Sequence, residues 1–213
     1  NKLSMFYGLV EKYYDSGEMM MKRPIDFWIV SRFQEHIKKI TENLENAKNR
    51  SALTYFHSMF NDLHWYLKRS EEKNKAILNY VLETMTKVLS VYSPFIAEEI
   101  WSKMGKKDFI CNSRWPEFDE KKIDEDVLKQ EESFKNTCED IKQVIKLSNK
   151  NDKLFLYVVN EKELLYYQGG ISFLKREFGF KEVRIFQVSD PNKYDPENKS
   201  KRAKFGKPGI YIE

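Results

Sequence analysis

From Leu3 to about Leu147, apolar residues return at intervals of three and four, the period of a helix with one buried face. Leu3, Phe6, Leu9 or Val10, and Tyr13 outline a first amphipathic helix over 3–14. The stretch from Asp15 to Pro24 holds Gly17 and Pro24 and breaks the pattern. Asp26 is placed to cap a long second helix with Val30, Phe33, Ile37, Ile40 and Leu44 on one stripe. The count restarts at Arg50-Ser51, and Leu53, Phe56, Phe60, Leu63 and Leu67 carry an equivalent face to Lys68-Arg69, as an antiparallel neighbour would. A further helix is expected from about Ser70, with Glu71 and Glu72 in its first turn and Ile77, Val81, Thr84, Val88 and Tyr92 on its stripe. Pro94 suits the first position of another helix, capped by Ser93 and stopped by Gly105. Beyond a loop with Trp115-Pro116, Val127, Phe134, Cys138, Ile141 and Ile145 define a last long helix. Single-striped helices with short connections make a bundle.

The period changes at Asn149-Lys150-Asn151-Asp152. Leu154–Val159 is a short apolar and aromatic run of buried-strand type, residues 161–178 are helical with an interruption at Gly169-Gly170, and Val183–Val188 alternates as a second strand. Two strands around a helix suggest parallel pairing through a right-handed crossover. Gly209-Ile-Tyr-Ile-Glu213 adds a third strand or docks as an extended arm. The expected fold is therefore mainly α: an antiparallel helical bundle over 1–148, followed by a small α+β (strand-helix-strand) domain over 149–213.

Charge sharpens that division. The chain of 213 residues has a net charge of +4, and residues 149–213 account for all of it. Lys199-Ser-Lys201-Arg202-Ala-Lys204-Phe-Gly-Lys207-Pro carries five cations and no anion, a composition suited to phosphate contact or to a solvated segment. A mean hydropathy of −0.68 and the lack of a long apolar run or signal-like start imply a soluble, cytoplasmic protein with no membrane partner. Cys111 and Cys138 have no CxxC spacing, so neither a disulfide framework nor a metal site is expected.

Catalytic motifs are lacking. No Gly-rich phosphate loop, GxSxG elbow or HExxH occurs, and His36, His57 and His64 have no nucleophile or carboxylate at telling spacing. Adjacent Glu98-Glu99 point about 100° apart on a helix, so a solvated face outweighs an acid–base pair. Lys103-Met-Gly-Lys-Lys107 looks like the KMSKS loop of class I aminoacyl-tRNA synthetases, but it sits where cations and Gly close a helix, and no HIGH-type partner exists. No catalytic residue is expected, and nothing in this chain can activate an amino acid.

Three aromatic-marked phrases occur in order: Asp26-Phe27-Trp28-Ile29-Val30-Ser31-Arg32, Asp62-Leu63-His64-Trp65-Tyr66-Leu67, and Pro94-Phe95-Ile96-Ala97-Glu98-Glu99-Ile100-Trp101. With Arg50-Ser51-Ala52-Leu53 and Trp115-Pro116-Glu117, they resemble the anticodon-binding-type bundle of class I synthetases for leucine, isoleucine and valine. Phe95-Ile96 departs from the pattern, where a His before the aliphatic residue is common. The phrase Lys207-Pro-Gly-Ile-Tyr-Ile-Glu213 is similar to one in archaeal-type leucyl-tRNA synthetases. The resemblance implies a tRNA-binding fragment whose partners are leucine tRNA, with its long variable arm, and the catalytic domain of the same polypeptide, not DNA. ATP with magnesium would belong to that catalytic domain and no cofactor to this fragment. It further implies that Lys199, Lys201, Arg202, Lys204 and Lys207 hold phosphates, while Tyr211 stacks on bases and the backbone of Gly209, Ile210, Tyr211, Ile212 and Glu213 hydrogen-bonds them. The tryptophans Trp28, Trp65 and Trp101 are expected in the core. An isoleucyl or valyl fragment, or a protein-binding helical scaffold, are the competing readings.

Overall fold

A computed structural model describes residues 2–19 and 23–213. Part of the expected break over 15–24, namely 20–22, lies outside the described residues. The chain divides into two compact units, Asn1–Asp124 and Glu125–Glu213. The first holds α1 (Lys2–Tyr13), α2 (Pro24–Glu45), α3 (Asn49–Arg69), α4 (Lys75–Leu89) and α5 (Pro94–Lys103). The second holds α6 (Glu125–Ser148), β1 (Lys153–Val158), α7 (Glu161–Gln168), α8 (Ile171–Phe178), β2 (Glu182–Gln187) and β3 (Gly209–Ile212). The polar break at 149 therefore marks a change from helix to strand inside the second unit, and the compact units part earlier, ahead of α6. Periodicity registers the change of element; it is blind to which sheet or bundle a helix stripe covers.

In the first unit, Phe6, Val10, Trp28, Ile29, Phe33, Ile37, Ile40, Phe56, Met59, Phe60, Leu63, Ile77, Val81, Met85 and Val88 are buried. The stripe of α2 is centred on Ile29 and Phe33, with Val30 and Leu44 at its margin. Two helix starts differ from expectation. Asp26 is the third residue of α2 and reaches back to the Arg23 N–H at 2.8 Å, a capping box closed by Pro24 at the first turn. Ser70 ends α3 and does not start α4, whose cap is Asn74, its side chain accepting the Ile77 N–H at 3.3 Å. Glu71 and Glu72 thus fall in the connection ahead of the helix. Ser93 does precede Pro94 at the start of α5, without a side-chain cap bond, and Gly105 ends it with φ of 74°.

The three phrases are the polar cross-ties of this bundle. Asp26 is fully buried and accepts the Tyr66 hydroxyl at 2.6 Å, so the first phrase is bonded to the second across α2 and α3. The Arg23 guanidinium donates to Ser70 Oγ at 2.7 Å and the Glu72 carbonyl at 2.8 Å. Arg32 Nε and His36 Nε2 lie 3.0 and 2.8 Å from one oxygen of Asp62. The carboxylate partner of His36, invisible at sequence spacing, is supplied by the neighbouring helix. Ser31 Oγ accepts the Asp124 N–H, Trp115 Nε1 donates to Thr41 Oγ1, and Glu98 accepts the Ile110 N–H at 2.9 Å. Trp28 and Trp101 are buried, as expected of core positions, whereas Trp65 is half-buried.

In the second unit the sheet order is β2-β1-β3. β1 and β2 pair in parallel, from Lys153 against Glu182 to Val158 against Gln187, with α7 and α8 between them in sequence. β3 is the third strand and runs antiparallel to β1, from Leu154 against Ile212 to Tyr157 against Gly209. Leu154, Leu156 and Val158 are fully buried, and Phe155, Tyr157 and Tyr211 form an aromatic cluster with Phe186, Val188 and Ala203. Alternation along β1 places these two sets on opposite faces. On α6, Phe134 lies 5.3 Å from Tyr167 and 5.8 Å from Phe173, ring centre to ring centre, which ties α6 to α7 and α8. Among the described residues no helix is long and apolar enough to cross a membrane.

Candidate nucleic-acid interface

The cationic residues of 199–207 are held by a loop with its own polar frame. Asp195 accepts the Lys199 N–H at 2.7 Å and the Ser200 N–H at 3.0 Å, which starts a 3-10 turn over Lys199–Arg202. Burial opposes the Asp195 charge, but these bonds from Ser200 and Lys199 prevail and hold its carboxyl below the usual range. The segment then turns at Lys204-Phe205-Gly206-Lys207, where Lys204 and Lys207 exchange N–H to carbonyl bonds of 2.9 Å each. Gly206 has φ of 72°, the left-handed geometry a type II turn needs at its third residue. Pro208 leads into β3.

Lys201, Arg202, Lys204 and Lys207 are exposed, and Lys199 is half-buried beside Glu197 at 3.1 Å. Lys207 has Asp140 of α6 at 4.0 Å. Lys199, Arg202 and Lys207 line a groove of about 360 Å³ together with Gly209, Ile210, Tyr211 and Ile212. Its far wall includes Asp140, Gln143, Val144 and Leu147 of α6, and Lys150 adds a further cation. Lys201 and Lys204 are not part of that lining. The helical wall and Lys150 escaped sequence reasoning because they are remote in the chain.

The strand phrase has a different role for each of its atoms. Lys153 and Glu213 exchange N–H to carbonyl bonds, and so alternation turns the backbone of Tyr211 and Gly209 toward β1 as well. The N–H and carbonyl groups of Ile210 and Ile212 then face the open edge of the sheet, a row of donors and acceptors beside the cations. Tyr211 is only 9% exposed, with its ring 5.8 Å from Phe155 and 6.3 Å from Tyr194. That packing makes Tyr211 a core residue of an edge strand, and the expected stacking platform is not offered by its ring. Glu213 accepts the Tyr194 hydroxyl at 2.6 Å and Lys153 Nζ at 3.2 Å, and these bonds hold its carboxyl below the usual range. Gly209 is required here, since a Cβ would stand 2.4 Å from the Lys199 carbonyl oxygen.

The first unit is thus a helical bundle cross-tied by these phrases, and the second a small sheet that carries a basic loop. The model of the anticodon-binding domain of tRNA ligases matches residues 26–158, and the chain belongs to that family. Among its relatives, the leucine–tRNA ligase of Pyrococcus horikoshii is 28% identical over 203 residues, 92% of this chain and 21% of that protein. The leucine–tRNA ligase of Archaeoglobus fulgidus is 33% identical over 159 residues, 73% of this chain and 16% of that protein. The chain spans about a fifth of the length of the relatives it matches. A solved ternary complex of an Agrobacterium radiobacter LeuRS with tRNA and LeuAMS covers 87% of this chain and 23% of that one, at 12% identity and a TM-score of 0.47, a likeness too slight to carry weight.

Proposed function

We propose that this chain is the tRNA-binding portion of a cytoplasmic leucine–tRNA ligase, and that its second unit holds leucine tRNA by the long variable arm. The observation that carries the reading is the basic segment 199–207 beside the open edge of β3, in a chain whose relatives are leucine–tRNA ligases. Exposed Lys and Arg neutralise phosphates and set register, and a strand edge supplies backbone donors and acceptors for base edges. Amino-acid activation, with its ATP and magnesium, is assigned to the catalytic domain of the same polypeptide, and this chain alone is inactive.

The test is filter binding of the 213-residue chain to leucine tRNA, to the same tRNA with its variable arm shortened, and to isoleucine and valine tRNAs. Leucine tRNA should bind tightest, and shortening the arm should remove the advantage. K201A/R202A/K204A changes only exposed side chains and should lower the logarithmic salt slope by roughly 0.7–0.9 for each phosphate that is no longer neutralised. Equal binding of long-arm and short-arm tRNAs would overturn the leucine assignment. Removing 208–213 is a poor test, because it deletes β3 from the sheet.

A further inference from the structure

Phe205 stands apart from every other aromatic residue of the second unit. It is 76% exposed at the tip of the Lys204–Lys207 turn, and among the described residues no ring or cation packs on it. A single exposed phenyl ring is ordinary on a protein surface, and what distinguishes this one is the turn built to present it between lysines. The turn that presents it is braced from beneath. Glu163 of α7, 5% exposed, accepts the Gly206 N–H at 2.6 Å with one oxygen and the Val159 N–H at 3.1 Å with the other. Ser133 of α6 donates to the Gly206 carbonyl at 2.9 Å and shares a 2.9 Å bond with the Tyr167 hydroxyl. Asn160 caps α7 by accepting the Glu163 N–H at 2.8 Å, which fixes the residue that fixes the turn.

An exposed ring on a braced turn, flanked in sequence by Lys204 and Lys207, has the chemistry of a stacking platform for an unpaired base. The flanking lysines take the phosphates on either side of that base, and the ring, with two side-chain torsions, has little entropy to lose. We infer that Phe205 stacks on an unpaired base of the bound RNA, with Lys204 and Lys207 on the adjoining phosphates. The inference rests on the tRNA-binding reading and moves the aromatic contact from Tyr211, whose ring is packed, to the turn. Protein docking is less favoured, because an isolated ring between two cations offers no contiguous apolar patch.

The experiment uses the full chain with two ligands: an RNA hairpin whose loop supplies unpaired bases, and a fully paired blunt duplex. F205A should weaken hairpin binding roughly 5- to 100-fold and duplex binding hardly at all. F205W should restore affinity, and its indole fluorescence should be quenched by the hairpin and not by the duplex. K201A/K204A should weaken both ligands. If K201A/K204A weakens both and F205A changes neither, or both equally, the stacking inference fails while the tRNA-binding reading stands. If neither variant changes RNA binding, the tRNA-binding reading fails too.

Discussion

Removing one hydroxyl from the bundle, with Tyr66→Phe, tests whether the phrases act as cross-ties. The bond it deletes is 2.6 Å long and joins a neutral donor to a fully buried carboxylate. A hydrogen bond to a charged group is worth about 1.5–3 kcal/mol. Asp26 keeps the Arg23 N–H at 2.8 Å, while its other donors, from Arg23 and Asn74, are longer at 3.4 Å, so the cost should fall near ~2 kcal/mol. For a unit of this size that lowers Tm by roughly 6–10 °C. All four tryptophans, Trp28, Trp65, Trp101 and Trp115, lie in the first unit, so urea unfolding followed by indole fluorescence reads that unit alone. Alkali supplies a second signature. Burial first, then the Asp26 charge and bond, hold the Tyr66 hydroxyl well above its ordinary pKa of 10.0. Its contribution is therefore complete below about pH 10, where the unfolded phenol is also protonated, and is lost as pH rises, by about 1.4 kcal/mol per pH unit for one proton. Y66F should show a shallower alkaline decline. An unfolding free energy within about 0.5 kcal/mol of the parent, with an unchanged alkaline slope, would refute the argument.

Gly209→Ala should destabilise the second unit by more than about 2 kcal/mol, because the new Cβ meets the Lys199 backbone oxygen at 2.4 Å, and hydrogen exchange along β1 and β3 should report it. Asp62→Ala should cost about 2–4 kcal/mol in the fluorescence assay, since it takes the carboxylate from buried His36 and leaves Arg32 with Glu35 alone. Tyr166→Phe leaves Glu131, fully buried, without its hydroxyl donor and should lower the stability of the second unit by about 1–3 kcal/mol, read by far-UV circular dichroism.

Sequence periodicity made the helices of the bundle legible because each has one well-defined apolar face. Leu154–Val159 could be read as a strand from its buried run, and Gly169-Gly170 as the gap between α7 and α8. Helix starts were harder, as Asp26 and Ser70 show. Asn74 caps through its own side chain, and Arg23 has no side chain that reads as a cap, whereas Ser and Asp suit several positions. The cations were visible as composition, but their groove was not, since α6 supplies its wall from far upstream in the chain and spacing encodes no such closure. Tyr211 is packed where stacking was expected, and Phe205, of which nothing was expected, is exposed, for a related reason. A strand residue's exposure depends on which face is covered, while a turn residue's depends on what braces the turn.

The antiparallel docking of β3 also bears on the order of assembly. β1 and β2 are joined by a local crossover through α7 and α8, so their pairing closes a short loop. β3 pairs Gly209 with Tyr157, and closing that contact first costs more than closing it once β1 and β2 are paired, when only 188–208 remain to be looped. The strand should therefore add late to a sheet already begun. Until it does, the basic loop is held by its own bonds, from Lys199 and Ser200 to Asp195 and those joining Gly206 to Glu163 and Ser133, and its groove lacks the strand wall. Under the proposed function, RNA-binding competence of this unit would be a late product of folding, and mutations that slow strand addition would delay it without altering any of the cations.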